Sequence, residues 1–162
     1  MIESGSCCTL LAEELCARDC HITIITNSAF IASFVRKMRS ARIILLGGSY
    51  QNEAQVMVGP LVGLCARNFK VDKFFLDIDG MDERGVKSSD HLRIEAAQAM
   101  AAQARGIIVL TESVKFHRDA SELIFPYENI RAIYTDADVA DSDIERCQAL
   151  GPEIVTAAKR RS

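Results

Sequence analysis

Unbroken apolar runs, rich in β-branched residues, recur along the chain and constrain its fold more than any other feature. Runs without polar alternation are typical of strands that are covered on both faces, as in parallel sheets. Strands are therefore predicted at His21 to Ile25, Arg42 to Leu46, Lys73 to Ile78, Gly106 to Leu110, Ile130 to Tyr134 and Glu153 to Val155.

Segments with helical signals lie between these runs. Pro60 is placed to start one helix, and Gly151-Pro152 is placed to end another. Helices are predicted at Cys8 to Ala17, at Ala29 to Met38 with Arg36 and Lys37 at its end, at Leu61 to Phe69, at His91 to Arg105, and at Asp141 to Leu150 with Asp and Ser caps. Strands that alternate with helices predict a three-layer α/β fold, with a largely parallel sheet and helices on both faces.

The size and composition indicate one folded domain over residues 1–162, because 49% of the residues are hydrophobic and 25% are charged. The net charge of -3 gives no electrostatic footprint for nucleic acid. No apolar run approaches the roughly 20 residues that span a bilayer, and the N-terminus lacks the features of a signal peptide. We therefore expect a cytoplasmic protein that does not contact membranes.

The cysteines follow no spacing known from secreted disulfide frameworks, and the adjacent Cys7 and Cys8 pair poorly. Cys16, Cys20 and His21 match none of the usual zinc patterns. We expect reduced thiols, and we predict neither a metal site nor a cofactor.

Polar motifs follow several of the predicted strands, at the edge of a parallel sheet where ligands bind. Glu112 and Lys115 come directly after the run ending at Leu110, and the short turn directs both toward one crevice. Ser4-Gly5-Ser6-Cys7-Cys8 precedes a helix, so its N–H groups can hold an anion. Thr26-Asn27-Ser28 repeats that arrangement. Helix capping is the alternative interpretation of both loops.

Three further motifs extend this edge. Gly47-Gly48 permits backbone conformations that other residues avoid. Asp79-Gly80-Met81-Asp82-Glu83 places three acids after another run, and nearby carboxylates are suited either to proton transfer or to accepting hydrogen bonds from sugar hydroxyls. An Asp-Gly turn with solvated acids is the plainer interpretation. Lys87 is a candidate for a phosphate contact or a surface residue, and Glu95 lies early in the next predicted helix. The predicted ligand-binding set is Ser4, Gly5, Ser6, Cys7, Cys8, Thr26, Asn27, Ser28, Gly47, Gly48, Asp79, Gly80, Lys87, Glu95, Glu112 and Lys115, with no catalytic residue.

From Ile2 to Val155 the chain resembles the C-terminal effector-sensing domain of DeoR-type bacterial transcriptional repressors. The motifs that carry the resemblance occur in family order: Ser4-Gly5-Ser6, Thr26-Asn27-Ser28, Leu46-Gly47-Gly48, Val58-Gly59-Pro60-Leu61, Asp72-Lys73-Phe74-Phe75, Asp79-Gly80-Met81-Asp82, Glu112-Ser113-Val114-Lys115-Phe116 and Tyr134-Thr135-Asp136. The resemblance implies a fold shared with ribose-5-phosphate isomerase and a phosphorylated sugar as effector. It also implies self-association as a dimer or tetramer.

Full-length members of that family bind operator DNA through an N-terminal winged helix-turn-helix domain. Met1-Ile2-Glu3 leads straight into Ser4, leaving almost no first strand, so we expect that such a domain precedes this chain in the intact protein. The chain departs from the family where Cys7 and Cys8 replace threonines, where Glu112 replaces an aspartate, and at Lys87 and Gln98. These departures predict an unusual effector.

An enzyme is the alternative. Asp79-Gly80-Met81-Asp82-Glu83 is similar to the acidic motif of ribose-5-phosphate isomerase, and Glu95 falls near its catalytic glutamate. The glycine-rich lysine loop of that isomerase is missing, because Lys87-Ser88-Ser89-Asp90 stands in its place. We therefore predict a sensor without catalytic activity. A domain that retains only oligomerisation is a third interpretation.

Overall fold

The structure is a computed structural model that describes residues 1–18, 21–35 and 41–157. Within these residues the strands are β1 (Thr23–Thr26), β2 (Arg42–Leu45), β3 (Ser49–Gln51), β4 (Val56–Val58), β5 (Phe74–Asp77), β6 (Gly80–Asp82), β7 (Gly85–Ser88), β8 (Ile107–Leu110), β9 (Glu122–Pro126), β10 (Ile130–Thr135) and β11 (Glu153–Thr156). The helices are α1 (Ser6–Ala17), α2 (Ala29–Val35), α3 (Pro60–Ala66), α4 (His91–Ala101) and α5 (Asp141–Ala149), with short 3₁₀ helices at Ser113–His117 and Tyr127–Asn129.

A parallel sheet forms the centre of the molecule. β5, β8, β10 and β11 pair in parallel, and β1 pairs in parallel with β2. Ile2 joins the two groups, because it forms parallel bridges to both Thr26 and Phe75. The backbone N–H of Ile2 donates to Ile25 over 2.8 Å, and that of Glu3 donates to Phe75 over 2.9 Å. The few residues before Ser4 thus act as a short strand between β1 and β5.

The two faces of this sheet are buried under different helices. Ile24 and Phe75 pack with Cys8 of α1 and Ile31 of α2. Their neighbours along the same strands point the other way, and they pack with residues of α3 and α4 such as Val62 and Met100 in a second, larger core. Burial of each large apolar side chain stabilises the fold by about 1.5–3 kcal/mol. The three-layer α/β fold with a largely parallel sheet is therefore confirmed.

The structure differs from the sequence predictions in its short antiparallel pieces. β3 pairs with β4, and β7 pairs with both β6 and β9. All five strands have five residues or fewer, and β3, β6 and β7 are rich in glycine or polar residues. Helices α3 and α4 end earlier than predicted, and the predicted end of α2 beyond Val35 lies outside the described residues. The predicted caps of α5 are wrong, because the residue before its first turn is Ala140 and no side chain caps it. Asp143 instead binds Arg146 and His117.

Candidate functional site

Asp77, the last residue of β5, lies at the centre of a polar cluster at the carboxyl edge of the sheet. The whole residue is 3% exposed. Lys115 donates from Nζ to Oδ1 over 2.8 Å, while the N–H of Cys7 and the hydroxyl of Ser6 donate to Oδ2 over 3.1 and 3.3 Å. The N–H of Ile78 adds a bond of 2.8 Å. The cluster therefore joins the Ser4–Cys8 loop to the segment that carries Lys115.

Gly5 allows this loop to approach Asp77. Its φ of 114° lies in a region that side chains disfavour, and a Cβ added there would lie 2.5 Å from the Cβ of Asp77. Any larger residue would therefore be strained and would also collide with the carboxylate-bearing side chain. The glycine of the Ser4-Gly5-Ser6 motif is required by both effects.

Glu3 and Arg93 form a second charged group directly behind the loop. Glu3 is fully buried, and Arg93 donates to its two oxygens from Nε and Nη2 over 2.9 Å each. Ser4 donates its hydroxyl to Glu3 over 2.7 Å, and Arg93 also donates to the backbone oxygen of Asp77 over 3.3 Å. Although burial opposes it, the charge of Glu3 raises the pKa of Arg93. Arg93 thus remains a cation that fixes both the loop and β5.

Asp79 extends the cluster toward the beginning of α4. Ser88 donates its hydroxyl to Oδ2 of Asp79 over 2.6 Å, the N–H of Ser89 donates over 3.0 Å, and Arg93 lies 3.7 Å from Oδ1. Burial opposes ionisation, but the two serine bonds outweigh it and lower the pKa of Asp79. Asp79 is therefore a carboxylate at neutral pH and can accept hydrogen bonds from hydroxyls.

A cavity of about 220 Å³ brings together the two loops that the sequence proposed as anion sites. It is lined by Ser4, Gly5, Thr9, Ser28, Phe30, Glu53, Ala54 and Gln55. Gln55 adopts a φ of 50°, which is uncommon for a residue other than glycine. The cavity lies where α1 begins, where β1 ends and where β3 turns into β4.

The Thr26–Ser28 loop also has a structural role. The hydroxyl of Thr26 accepts the N–H of Ser28 over 3.0 Å, and the hydroxyl of Ser28 accepts the N–H of Ile31 in the first turn of α2 over 3.2 Å. Asn27 is fully buried and donates to the backbone oxygen of Met57 over 2.9 Å. These bonds agree with the capping interpretation of this loop. They also hold Ser28 at the wall of the cavity.

Cys7 and Cys8 belong to the first turn of α1. Cys8 is fully buried. Burial raises the pKa of the Cys7 thiol, and the charge of Asp77 adds to the shift. Both effects favour the neutral thiol, so Cys7 contributes to this edge through its backbone N–H and not as a thiolate.

Two proposed site residues lie away from the Asp77 cluster. Lys87, on β7, is 3.1 Å from Oδ2 of Asp82 and makes a shorter bond to Asp119. Glu95 is half exposed and lies 3.4 Å from Nε2 of His91. Their partners on β6, α4 and the loop before β9 hold both side chains there.

The remaining proposed residues have mixed positions. Glu112 is exposed, whereas Lys115 points inward to Asp77. The two side chains, which the sequence predicted in one crevice, therefore point in different directions. Gly48 packs closely, because an added Cβ would lie 2.7 Å from the backbone oxygen of Val58. Gly80 lies against the backbone of Arg118, and Gly47 lies beside Cys65. Gly48 and Gly80 let neighbouring segments pass close to one another, whereas a Cβ on Gly47 would make only an ordinary contact with Cys65.

Sequence reasoning missed Asp77, Glu3 and Arg93. A signal was available for the first, because a charged residue inside the apolar run Phe74–Ile78 requires a buried partner. The partners themselves come from the beginning of the chain and from beyond position 110. No spacing rule connects them.

Residues 1–137 match the family described as "DeoR C terminal sensor domain". This match confirms the resemblance that the motifs indicated, since it covers most of the 162 residues. The chain belongs to the DeoR C-terminal sensor domain family. In the part of the chain that the structure describes, no helix is long and apolar enough to cross a membrane.

Several proteins named as transcriptional regulators or repressors are similar to the chain. Transcriptional repressor AccR of Agrobacterium fabrum is 26% identical over 139 residues, which are 85% of this chain and 54% of that protein. The glycerol-3-phosphate regulon repressor of Escherichia coli K12 is 25% identical over 118 residues, 72% of this chain and 47% of that protein. The HTH-type transcriptional regulator IolR of Bacillus subtilis is 22% identical over 128 residues, 78% of this chain and 51% of that protein. The chain spans about half the length of the curated relatives it matches.

Proposed function

We propose that this chain is the effector-sensing and oligomerising domain of a DeoR-type regulator of sugar metabolism, and that it binds a phosphorylated sugar or a related metabolite. The observation that supports this most is the meeting of the Ser4–Cys8 loop, Ser28, Asp79 and Lys115 at one edge of the sheet, beside a cavity. A similar protein is named for a glycerol-3-phosphate regulon, which fits a phosphorylated effector.

The proposed roles follow from the chemistry of each group. The N–H groups that begin α1, the Ser6 hydroxyl and the Lys115 ammonium are donors suited to a phosphate. Asp79 is an ionised acceptor suited to sugar hydroxyls. In the intact protein, effector binding would favour one of two subunit arrangements of a dimer or tetramer. DNA affinity would then change in an N-terminal winged helix-turn-helix domain.

We propose no catalytic role for the site. The isomerase alternative needs Glu95 as a base beside the bound sugar, whereas Glu95 binds His91 on the exposed side of α4. The relatives described above carry the names of transcriptional regulators. Incubation with ribose 5-phosphate should therefore leave the sugar unconverted.

The proposal is tested by thermal unfolding with a panel of aldose and ketose phosphates, each beside its unphosphorylated parent sugar. A ligand that binds only the folded state at about 100 times its Kd stabilises that state by roughly 2.7 kcal/mol, so the melting temperature should rise by several degrees. The parent sugars should give much smaller shifts. Equal shifts from both members of every pair, or none from any compound, would contradict the proposal.

Lys115→Ala sharpens that test. Loss of a charge-assisted hydrogen bond to the phosphate should weaken binding by about 1.5–3 kcal/mol. The matched control is Lys73→Ala, which removes the same charge from an exposed position at the opposite end of β5. Unchanged affinity in the Lys115 variant would remove this lysine from the proposed site.

A further inference from the structure

We propose that Asp77 is an internal anion that occupies the phosphate position of this site, and that it sets the selectivity of the site against free phosphate. The identity of the effector rests on the function proposed above. The occupancy of the donors by Asp77 does not rest on it.

Three of the donors proposed for the phosphate already bind Asp77. One oxygen of its carboxylate accepts the Cys7 N–H and the Ser6 hydroxyl, and the other accepts Lys115. The first turn of α1 carries no acidic residue of its own. An aspartate from β5 therefore supplies the negative charge that the N-terminus of a helix favours.

The Ser4–Cys8 loop packs closely against this carboxylate. The position of an added Cβ on Gly5 is only 2.6 Å from Oδ2 of Asp77, so the loop lies directly against the side chain. A phosphate at the Cys7 N–H would bring a second anion into contact with a buried carboxylate. Two like charges at such a distance repel strongly where water is scarce. The phosphate of an effector must therefore displace Asp77 before it reaches these donors.

This competition gives the site a basis for selectivity. Inorganic phosphate replaces one anion by another and makes few contacts beyond those that Asp77 already makes. A phosphorylated sugar also has hydroxyls that can donate hydrogen bonds to Asp79. This residue is ionised and follows the end of β5 by two positions. The free energy gained from these contacts offsets the cost of displacing Asp77 from its donors. The displacement also disturbs Arg93, which donates to the backbone oxygen of Asp77 and holds Glu3.

The test measures binding of inorganic phosphate to the wild-type chain and to Asp77→Asn by titration calorimetry at neutral pH. Removing the competing charge should tighten phosphate binding at least about tenfold, the effect of one charge-assisted hydrogen bond. The control is Asp72→Asn, which removes an exposed acid before the other end of β5 and should leave the affinity unchanged. Equal phosphate affinity in wild type and in Asp77→Asn overturns the inference.

Asp77→Ser provides a second neutral variant in case the asparagine disturbs folding, and circular dichroism establishes that each variant is folded. Parallel titrations with sugar phosphates distinguish failure of this inference from failure of the proposed function. If sugar phosphates bind the wild type but neither variant gains affinity for phosphate, the proposed function stands and the inference fails. If both variants gain phosphate affinity while no sugar phosphate binds better than phosphate itself, the inference stands and the proposed function fails.

Discussion

Two lysine–aspartate clusters in this domain contain the same chemical groups in different surroundings. Lys115 binds Asp77 at the carboxyl edge of the parallel sheet, where the side chain of Asp77 is 4% exposed. Lys87, on β7, binds Asp82 on β6 and Asp119 in the loop before β9, and the side chain of Asp119 is 85% exposed. The sequence proposed both lysines as effector contacts, and both have partners within the protein.

The clusters differ in whether water can solvate a carboxylate once its cationic partner is removed. Asp119 can be solvated if Lys87 is removed, and Asp82 also keeps Arg84 as a partner. The carboxylates of Glu3 and Asp77 have no such access, so they depend on Arg93, Lys115 and the beginning of α1. Loss of a partner at the carboxyl edge should therefore cost more stability than loss of a partner in the antiparallel cluster.

The largest expected effect comes from breaking the buried pair at the carboxyl edge. Arg93→Met leaves Glu3 without a cation in a fully buried position, so the free energy of unfolding should fall by about 3–5 kcal/mol. Urea denaturation measures this loss. Arg105→Met is the control, because Arg105 and its partner Asp72 are both largely exposed, and it should cost less than about 1 kcal/mol. Similar losses in the two variants would show that burial does not set the strength of the pair.

A smaller effect is expected in the antiparallel cluster. Lys87→Met keeps the length of a buried side chain and leaves two carboxylates that water or Arg84 can reach. The melting temperature should fall by about 2–4 °C, well below the fall in Arg93→Met. Differential scanning calorimetry of both variants compares the two regions directly. If Lys87→Met is the more damaging change, the contrast between the clusters is wrong.

The fold was largely predictable, because parallel strands buried on both faces leave a clear apolar signal in the sequence. The runs ending at Ile25, Leu46, Ile78 and Leu110 end within one residue of β1, β2, β5 and β8. Strands β3, β6 and β7 were not predicted, because they are short and include glycine or polar residues. β7 also pairs with β9, which lies more than thirty positions further along the chain.

The candidate site was only partly predictable. Motif positions at strand ends indicated the correct edge for Ser6, Asp79 and Lys115. They did not reveal that Asp77 accepts hydrogen bonds from Ser6 and Lys115 within the protein. That contact depends on how Gly5, β5 and the segment after β8 pack in three dimensions. Lys87 was a candidate for a phosphate contact or a surface residue from its position before the helix that begins at His91. The antiparallel pairing of β6 with β7 instead places its side chain beside Asp82, and no sequence pattern indicated that pairing.

The smallest expected effect concerns His91, at the beginning of α4. Its ring lies 3.0 Å from Glu122 and 3.4 Å from Glu95, and all three side chains are substantially exposed. The hydrogen bond to Glu122 and the charges of both glutamates raise the pKa of His91. A raised pKa means that the folded state binds the proton more tightly than the unfolded state. The stabilisation is therefore complete below the ordinary histidine pKa near 6.5, and it disappears as the pH rises through the raised value.

The measurement is the melting temperature of the wild type and of His91→Gln across the range from pH 5.5 to about 8.5. The wild type should lose about 1 °C or less relative to the variant across this range, because exposed pairs are weak. Raising the salt concentration should reduce the difference further, since exposed charges are screened. A loss as large as that in Arg93→Met would mean that exposed and buried pairs contribute equally in this domain. A gain of stability with rising pH in the wild type alone would mean that Glu122 and Glu95 do not hold the protonated ring.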